Sequence, residues 1–148
     1  IAADVALLPP ERRLRVHCEL GDRPVIVRGN ARLLESVFRN LTDNATAYSG
    51  GRDILIRLVE ETPDAYAFLF ADNGIGVPEE HLPHLFERFY RIDKGRSRKM
   101  GGTGLGLSIV RNAVALHGGR IEVRTGPDGG LEFRFTLRKR PDDSASAV

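Results

Sequence analysis

One cysteine, Cys18, is all the chain carries, so an internal disulfide is excluded and a reducing compartment suits it. No apolar run approaches the roughly 18 residues a membrane span needs. No charged-then-apolar leader stands at the N-terminus, so no signal peptide is expected. Excess charge is missing too: 22 Lys and Arg against 20 Asp and Glu leave +2, which gives no broad footprint for nucleic acid. The basic residues thicken only locally, between Arg88 and Lys99. No internal repeat, no Walker phosphate loop and no Ser/Cys-His-Asp arrangement is found. The four histidines do not point to a metal. His81 and His84 flank Leu82-Pro83 without a second ligand pair. His17 reads as a packed or edge-strand residue, and His117 as a cation favoured by a helix C-terminus.

What is there suffices for one globular domain. At 148 residues, 41% hydrophobic and 28% charged, the chain can bury a real core. It opens abruptly with IAADVALL and reads as a piece of something longer. The expected division is a linker remnant over 1–13, a domain over 14–138 and a flexible tail over 139–148.

Alternation over Leu14–Leu20, a turn at Gly21-Asp22 and the apolar Pro24–Arg28 predict a first hairpin. Asn30 then caps a helix whose apolar face is Leu33, Leu34, Val37, Phe38, Leu41 and Ala45, stopped by Gly50-Gly51. Asp53–Val59 and Ala65–Ala71 are strand-like and joined by Thr62-Pro63-Asp64, so they pair antiparallel. Pro78-Glu79-Glu80 starts a short helical piece, and Gly95–Gly102 reads as a mobile loop. Leu105–Leu116 is a second helix with Leu105, Ile109, Ala113 and Leu116 on one side, ended by His117-Gly118-Gly119. Ile121–Arg124 and Leu131–Leu137 close the domain as a hairpin. The expected architecture is a mixed sheet with helices on one face.

Four segments carry chemistry. In NLTDNATAY, Asn40, Asn44 and Tyr48 are four apart and share a helix face. Neutral amide oxygens there can hold Mg²⁺ beside a polyphosphate without adding negative charge; the plainer reading is two asparagines on a wet face. In DNGIG, Asp72 ends a strand and can accept a hydrogen bond from an exocyclic amino group, which separates adenine from guanine. Gly74, Ile75 and Gly76 let the backbone approach a flat base, although the tripeptide also suits an ordinary turn. In FERFYR, Phe86 and Phe89 read as core aromatics anchoring the loop, from which Arg91, Lys94, Arg96, Arg98 and Lys99 can reach phosphates. Finally Gly102, Thr103, Gly104, Leu105 and Gly106 lead straight into a helix, so loop amides and the helix N-terminus form an anion site. The spacing is GxGxG, not the dinucleotide GxGxxG.

In this order the four segments resemble the N, G1, F and G2 boxes of histidine kinase catalytic domains, within the ATPase superfamily that includes gyrase, Hsp90 and MutL. The resemblance runs from about Leu14 to Leu137. It implies an α+β fold: a two-layer α/β sandwich with a mixed, mainly antiparallel sheet, about three helices on one face, and ATP bound under a flexible lid. It implies Asn44 on Mg²⁺, Tyr48 beside the adenine, Asp72 reading it, and Gly102, Gly104 and Gly106 as phosphate loop and lid hinge. Where hydrolysing relatives place a Glu as base, this chain has Asn40, and an amide is no general base near neutral pH. Transfer to a histidine on a separate dimerisation domain, then to a response regulator, is therefore implied over hydrolysis. No Ser-His-Glu-Leu-Arg segment occurs, so that acceptor lies outside this chain. The parent protein is expected to be a homodimeric inner-membrane sensor with this domain monomeric by itself and cytoplasmic. Ala47 departs from the Lys or Arg common before the N-box Tyr. Two alternatives stay open: an anti-sigma-type serine kinase of the same fold, and a non-catalytic ATP/ADP-binding module.

Overall fold

The computed structural model describes residues 15–46, 53–90 and 105–140. Five strands form one sheet: β1 Arg15–Glu19, β2 Asp53–Glu61, β3 Ala65–Asp72, β4 Ile121–Thr125 and β5 Leu131–Arg138. Their spatial order is β1-β2-β3-β5-β4. Only β1 and β2 run parallel; the other neighbours are antiparallel. Two α-helices, α1 Ala31–Asn44 and α2 Gly106–Leu116, and a 3-10 helix at Glu79–His84 complete the described elements.

The alternation of LEFRFTL explains the layering. Leu131, Phe133, Phe135 and Leu137 of β5 are all buried while the residues between them are not, so the sheet has one covered face. Ile54, Ile56, Phe68 and Phe70 continue that face, and Val37, Leu41, Val110 and Val114 of the helices lie on it. Phe68 stacks on Phe135 at 5.3 Å between ring centroids, and Phe38 meets the same ring edge-on at 5.8 Å. The other face is tied by exposed cross-strand ion pairs, Arg57 with Glu19, Arg124 with Glu132 and Arg134 with Glu60. This is the expected mixed sheet with helices on one face. Among the described residues no helix is long and apolar enough to cross a membrane.

Four sequence expectations are corrected. The first hairpin does not form: Pro24–Arg28 is not a strand, and β1 lies parallel to β2 in the register Arg15↔Asp53. Pro24 has no amide to offer a ladder. Val25 and Val27 pack on the core instead, and the Arg28 amide donates to the Lys139 carbonyl at 2.8 Å. β1 reaches its partner through α1, as a parallel pair must be joined. Phe89 is not a core aromatic: it is 64% exposed, at a φ of 65°. Phe86 does join the core, edge-on to Phe133 at 6.2 Å.

The third correction is the face of α2. The chain buries Ser108, Val110, Ala113 and Val114, while Ile109 and Leu116 are 42% and 70% exposed. His117 shows why. It is buried, its Nδ1–H donates to the Ala113 carbonyl at 2.7 Å, and its Nε2 accepts the Asn30 amide at 3.0 Å. Both ring nitrogens are thus used in the neutral form, contrary to the expected cation. Asn30 in turn caps α1, its side chain accepting the Leu33 amide at 3.1 Å. One residue therefore joins the start of α1 to the end of α2. Lys139, at the start of the expected tail, is also held, by Glu61 at 2.8 Å and by the Asp64 carbonyl at 2.8 Å.

Candidate functional site

Asp72 is the last residue of β3 and sits opposite Ile54 of β2. Its Oδ1 accepts the Gly74 amide at 2.9 Å and the Leu131 amide at 3.4 Å. Among the described residues Oδ2 accepts no bond, so one carboxylate oxygen is fixed and the other left to a ligand. Burial pushes the carboxyl pKa up, and the two amides oppose this. Gly74 is half-buried and Ile75 is 69% exposed. Gly76 has a φ of +71°, and a Cβ there would stand 2.0 Å from the Gly129 carbonyl oxygen. A Cβ on Gly130 would likewise stand 2.0 Å from the Asp72 carbonyl oxygen. The β4–β5 turn thus packs backbone-to-backbone on the DNGIG turn. Sequence reasoning took the segment between Ile121–Arg124 and Leu131–Leu137 only as a hairpin connection. The second glycine, Gly130, placed after the turn proper, was the available signal.

Asn40 and Asn44 lie one turn apart on α1 and are half-buried. The Asn40 Nδ2 donates to the Ser36 carbonyl at 2.8 Å. Its Oδ1 stands 3.1 Å from the place a Cβ would occupy on Gly106. The N-box asparagine and the last glycine of GTGLG are therefore in contact, and α1 sets the position of the α2 N-terminus. Asn44 has no side-chain hydrogen-bond partner among the described residues. Its amide oxygen is therefore free for a hard cation, so the residue type and surroundings fit Mg²⁺. At α2, Leu105 takes the N-cap position, half-buried, and its own apolar side chain offers the helix no cap. Its first-turn amides remain suited to an anion.

The structure brings together Asn40 with Gly106, and Asp72 with Gly74, Gly76 and the β4–β5 turn. Tyr48, Arg91, Arg96, Arg98, Gly102, Thr103 and Gly104 lie outside the described residues, as do the Gly50-Gly51 helix stop and the Gly95–Gly102 loop. Tyr90, at the end of the F box, is held by two histidines: its hydroxyl meets His81 Nδ1 at 2.6 Å, and its ring stacks on His84 at 5.2 Å. His84 Nδ1 meets Glu87 at 2.9 Å. A cavity of about 290 Å³ lies elsewhere, lined by residues that include Leu20, Arg23, Glu61 and Tyr66, and shares no residue with this site.

The sequence family described as histidine kinase-, DNA gyrase B- and HSP90-like ATPase matches residues 29–141, which include every candidate site residue. The chain belongs to that family. Sensor histidine kinase YkoH of Bacillus subtilis is 42% identical over 113 residues, 76% of this chain and 24% of that protein. Among solved structures, the mycobacterial sensor histidine kinase MprB is 32% identical with a TM-score of 0.69, covering 86% of each chain. The ATP-binding domain of PrrB from Mycobacterium tuberculosis is 27% identical with a TM-score of 0.70, covering 95% of this chain and 89% of that one. The family fold is thus the two-layer sandwich that the sequence resemblance implied. The chain spans between 24% and 30% of the length of the curated relatives it matches first.

Proposed function

We propose that this chain is the ATP-binding catalytic domain of a sensor histidine kinase. It presents the γ-phosphoryl group of ATP to a histidine on a separate dimerisation domain, from which the phosphoryl group passes to an aspartate of a response regulator. The observation that carries this reading is the Asp72 carboxylate, with one oxygen pinned by two amides and the other open at a strand end. A carboxylate so held accepts the adenine amino group at little reorganisation cost. Gly74, Ile75 and Gly76 flank the base, and Tyr48 lies beside it. The start of α2, with Gly102, Thr103, Gly104 and Leu105 before it, takes the phosphates. Arg91, Arg96 and Arg98 close over them.

Asn44 would hold Mg²⁺, which when bound would offset phosphate charge. The acceptor imidazole attacks phosphorus in line, the bond to the β-phosphate oxygen breaks, and ADP leaves. Asn40 supplies no base for water: it is an amide, and its nitrogen is engaged with Ser36. The parent protein is read as a membrane-bound homodimer with this domain on the cytoplasmic side. The division into 1–13, 14–138 and 139–148 belongs to the same reading.

Calorimetry with ATP and Mg²⁺ tests it. The chain is expected to bind, Asp72→Ala to lose at least about tenfold in affinity, and Asn44→Ala to lose the Mg²⁺-dependent part. Unchanged binding in both variants overturns the reading. Incubation with labelled ATP and the parent's acceptor domain is expected to give an acid-labile phosphohistidine on that domain and none on this chain.

A further inference from the structure

The antiparallel register of β2 and β3 ends at Ile54↔Asp72, so Asp53 stands opposite Asn73 just past the last ladder pair. There the two residues pair through side chains. The Asp53 amide donates to Asn73 Oδ1 at 2.9 Å, and Asn73 Nδ2 donates to Asp53 Oδ2 at 2.9 Å. The Asn73 amide also donates to the Asp53 carbonyl, at 3.3 Å. Asn73 has both a donor and an acceptor on one planar group, and Asp53 offers one of each from backbone and side chain, so the match is reciprocal. Asp53 is itself held from β1: Arg15 reaches it at 2.8 Å and His17 Nε2 at 3.1 Å. Arg15 and His17 are two apart on a strand and so present to the same face. The His17 hydrogen bond, then Arg15, hold the Asp53 carboxyl below its usual pKa against the opposing effect of burial.

Asn73 follows Asp72 directly. On one side Asp72 is fixed by its own bonds to Gly74 and Leu131; on the other, the clasp stops the chain from peeling off β2. We infer that Asp53 and Asn73 are positioning residues that fix the aim of the Asp72 carboxylate and so set selectivity for adenine. The inference rests on the reading of Asp72 given above.

The test uses the 148-residue chain and two ligands, ATP and purine riboside triphosphate, which lacks only the amino group that Asp72 reads. The measured quantity is the ratio of their dissociation constants. Asn73→Ala and Asp53→Ala are each expected to shrink that ratio about fivefold by weakening ATP, with the deamino analogue unchanged. The double variant D53N/N73D, made in an Arg15→Ala background so that no guanidinium donor faces the new amide group, exchanges carboxylate and amide, restores the clasp with its side-chain bond reversed in direction, and is expected to recover most of the ratio. If the single variants weaken both ligands equally, the residues are merely structural and the inference fails. If a single variant does not fold, the double variant decides: a ratio near wild type supports the clasp, a collapsed one overturns it. Asp72→Ala separates the two levels. Should it leave the ratio intact, the reading of Asp72 fails; should it abolish the ratio while Asn73→Ala preserves it, only the clasp fails.

Discussion

The two helices cover the same face of the sheet but are specified differently. In α1 the polar positions are clearly polar, and Val37, Leu41 and Ala45, at four-residue spacing, are all at most 2% exposed. In α2 apolar residues run almost all the way round, GLSIVRNAVAL, and periodicity alone does not choose a face. Contacts at its two ends choose it: Asn40 against Gly106 at the start, and His117 against Asn30 at the finish. α1 is thus oriented by its own sequence, and α2 by α1. The helix whose N-terminus is proposed to hold phosphate takes its orientation from the helix proposed to hold the metal.

Removing the finishing contact is the strongest way to break this difference. His117→Ala deletes two hydrogen bonds in a buried place, leaves the Asn30 amide unpaired and opens a hole. A loss of about 2–4 kcal/mol in denaturant unfolding is expected. His117→Gln keeps a donor and an acceptor and is expected to lose less. If both variants lose nothing, the ends of α2 do not orient it.

The contact at the start is subtler and sharpens the comparison. Alanine at position 106 brings its Cβ to 3.1 Å from Asn40 Oδ1, and that side chain is tethered to Ser36, so it yields with difficulty. Gly106→Ala alone is expected to cost about 1 kcal/mol, despite the better helix propensity of alanine. In an Asn40→Ala background the obstacle is gone, and the same change is expected to gain about 0.5–1 kcal/mol. A reversal of sign in this double-mutant cycle is the signature of the contact. Equal effects in both backgrounds show that Asn40 does not place α2.

What the sequence revealed follows the same division. Both antiparallel hairpins, the capped α1 and the strand-ending Asp72 were legible, because turn residues, caps and alternation are local signals. The parallel pairing of β1 with β2 was not: Arg15 and Asp53 are partners across a whole helix, and nothing beside Arg15 names Asp53. The clasp of Asp53 with Asn73 was hidden for the same reason, as was the packing of Gly130 on Asp72. Phe89 was misread because aromatic spacing says nothing of a backbone that turns to φ 65°. For the site, Asp72 was visible as residue type and position, and so was the neighbouring Gly74, but the second amide that pins it, that of Leu131, comes from the start of β5, fifty-nine residues on.

The smallest effect is expected on the face the sequence favoured for burial. Ile109 and Leu116 share one side of the helix with Ala113 by their spacing, yet of these three only Ala113 is buried, and Leu116 is 70% exposed. A side chain mostly in water in both states has little to lose, so Leu116→Ser is expected to change stability by less than about 0.5 kcal/mol, and Ile109→Ser, whose side chain is partly covered, by about 1 kcal/mol. Val110→Ser, one residue along and fully buried, is expected to lose several times as much, since it gives up apolar contact and buries a hydroxyl. The comparison needs only these three single variants and urea unfolding. Were the Ile109 and Leu116 pair to cost as much as Val110, the helix would have to sit rotated toward the face that periodicity picked, and Asn40 would no longer face Gly106.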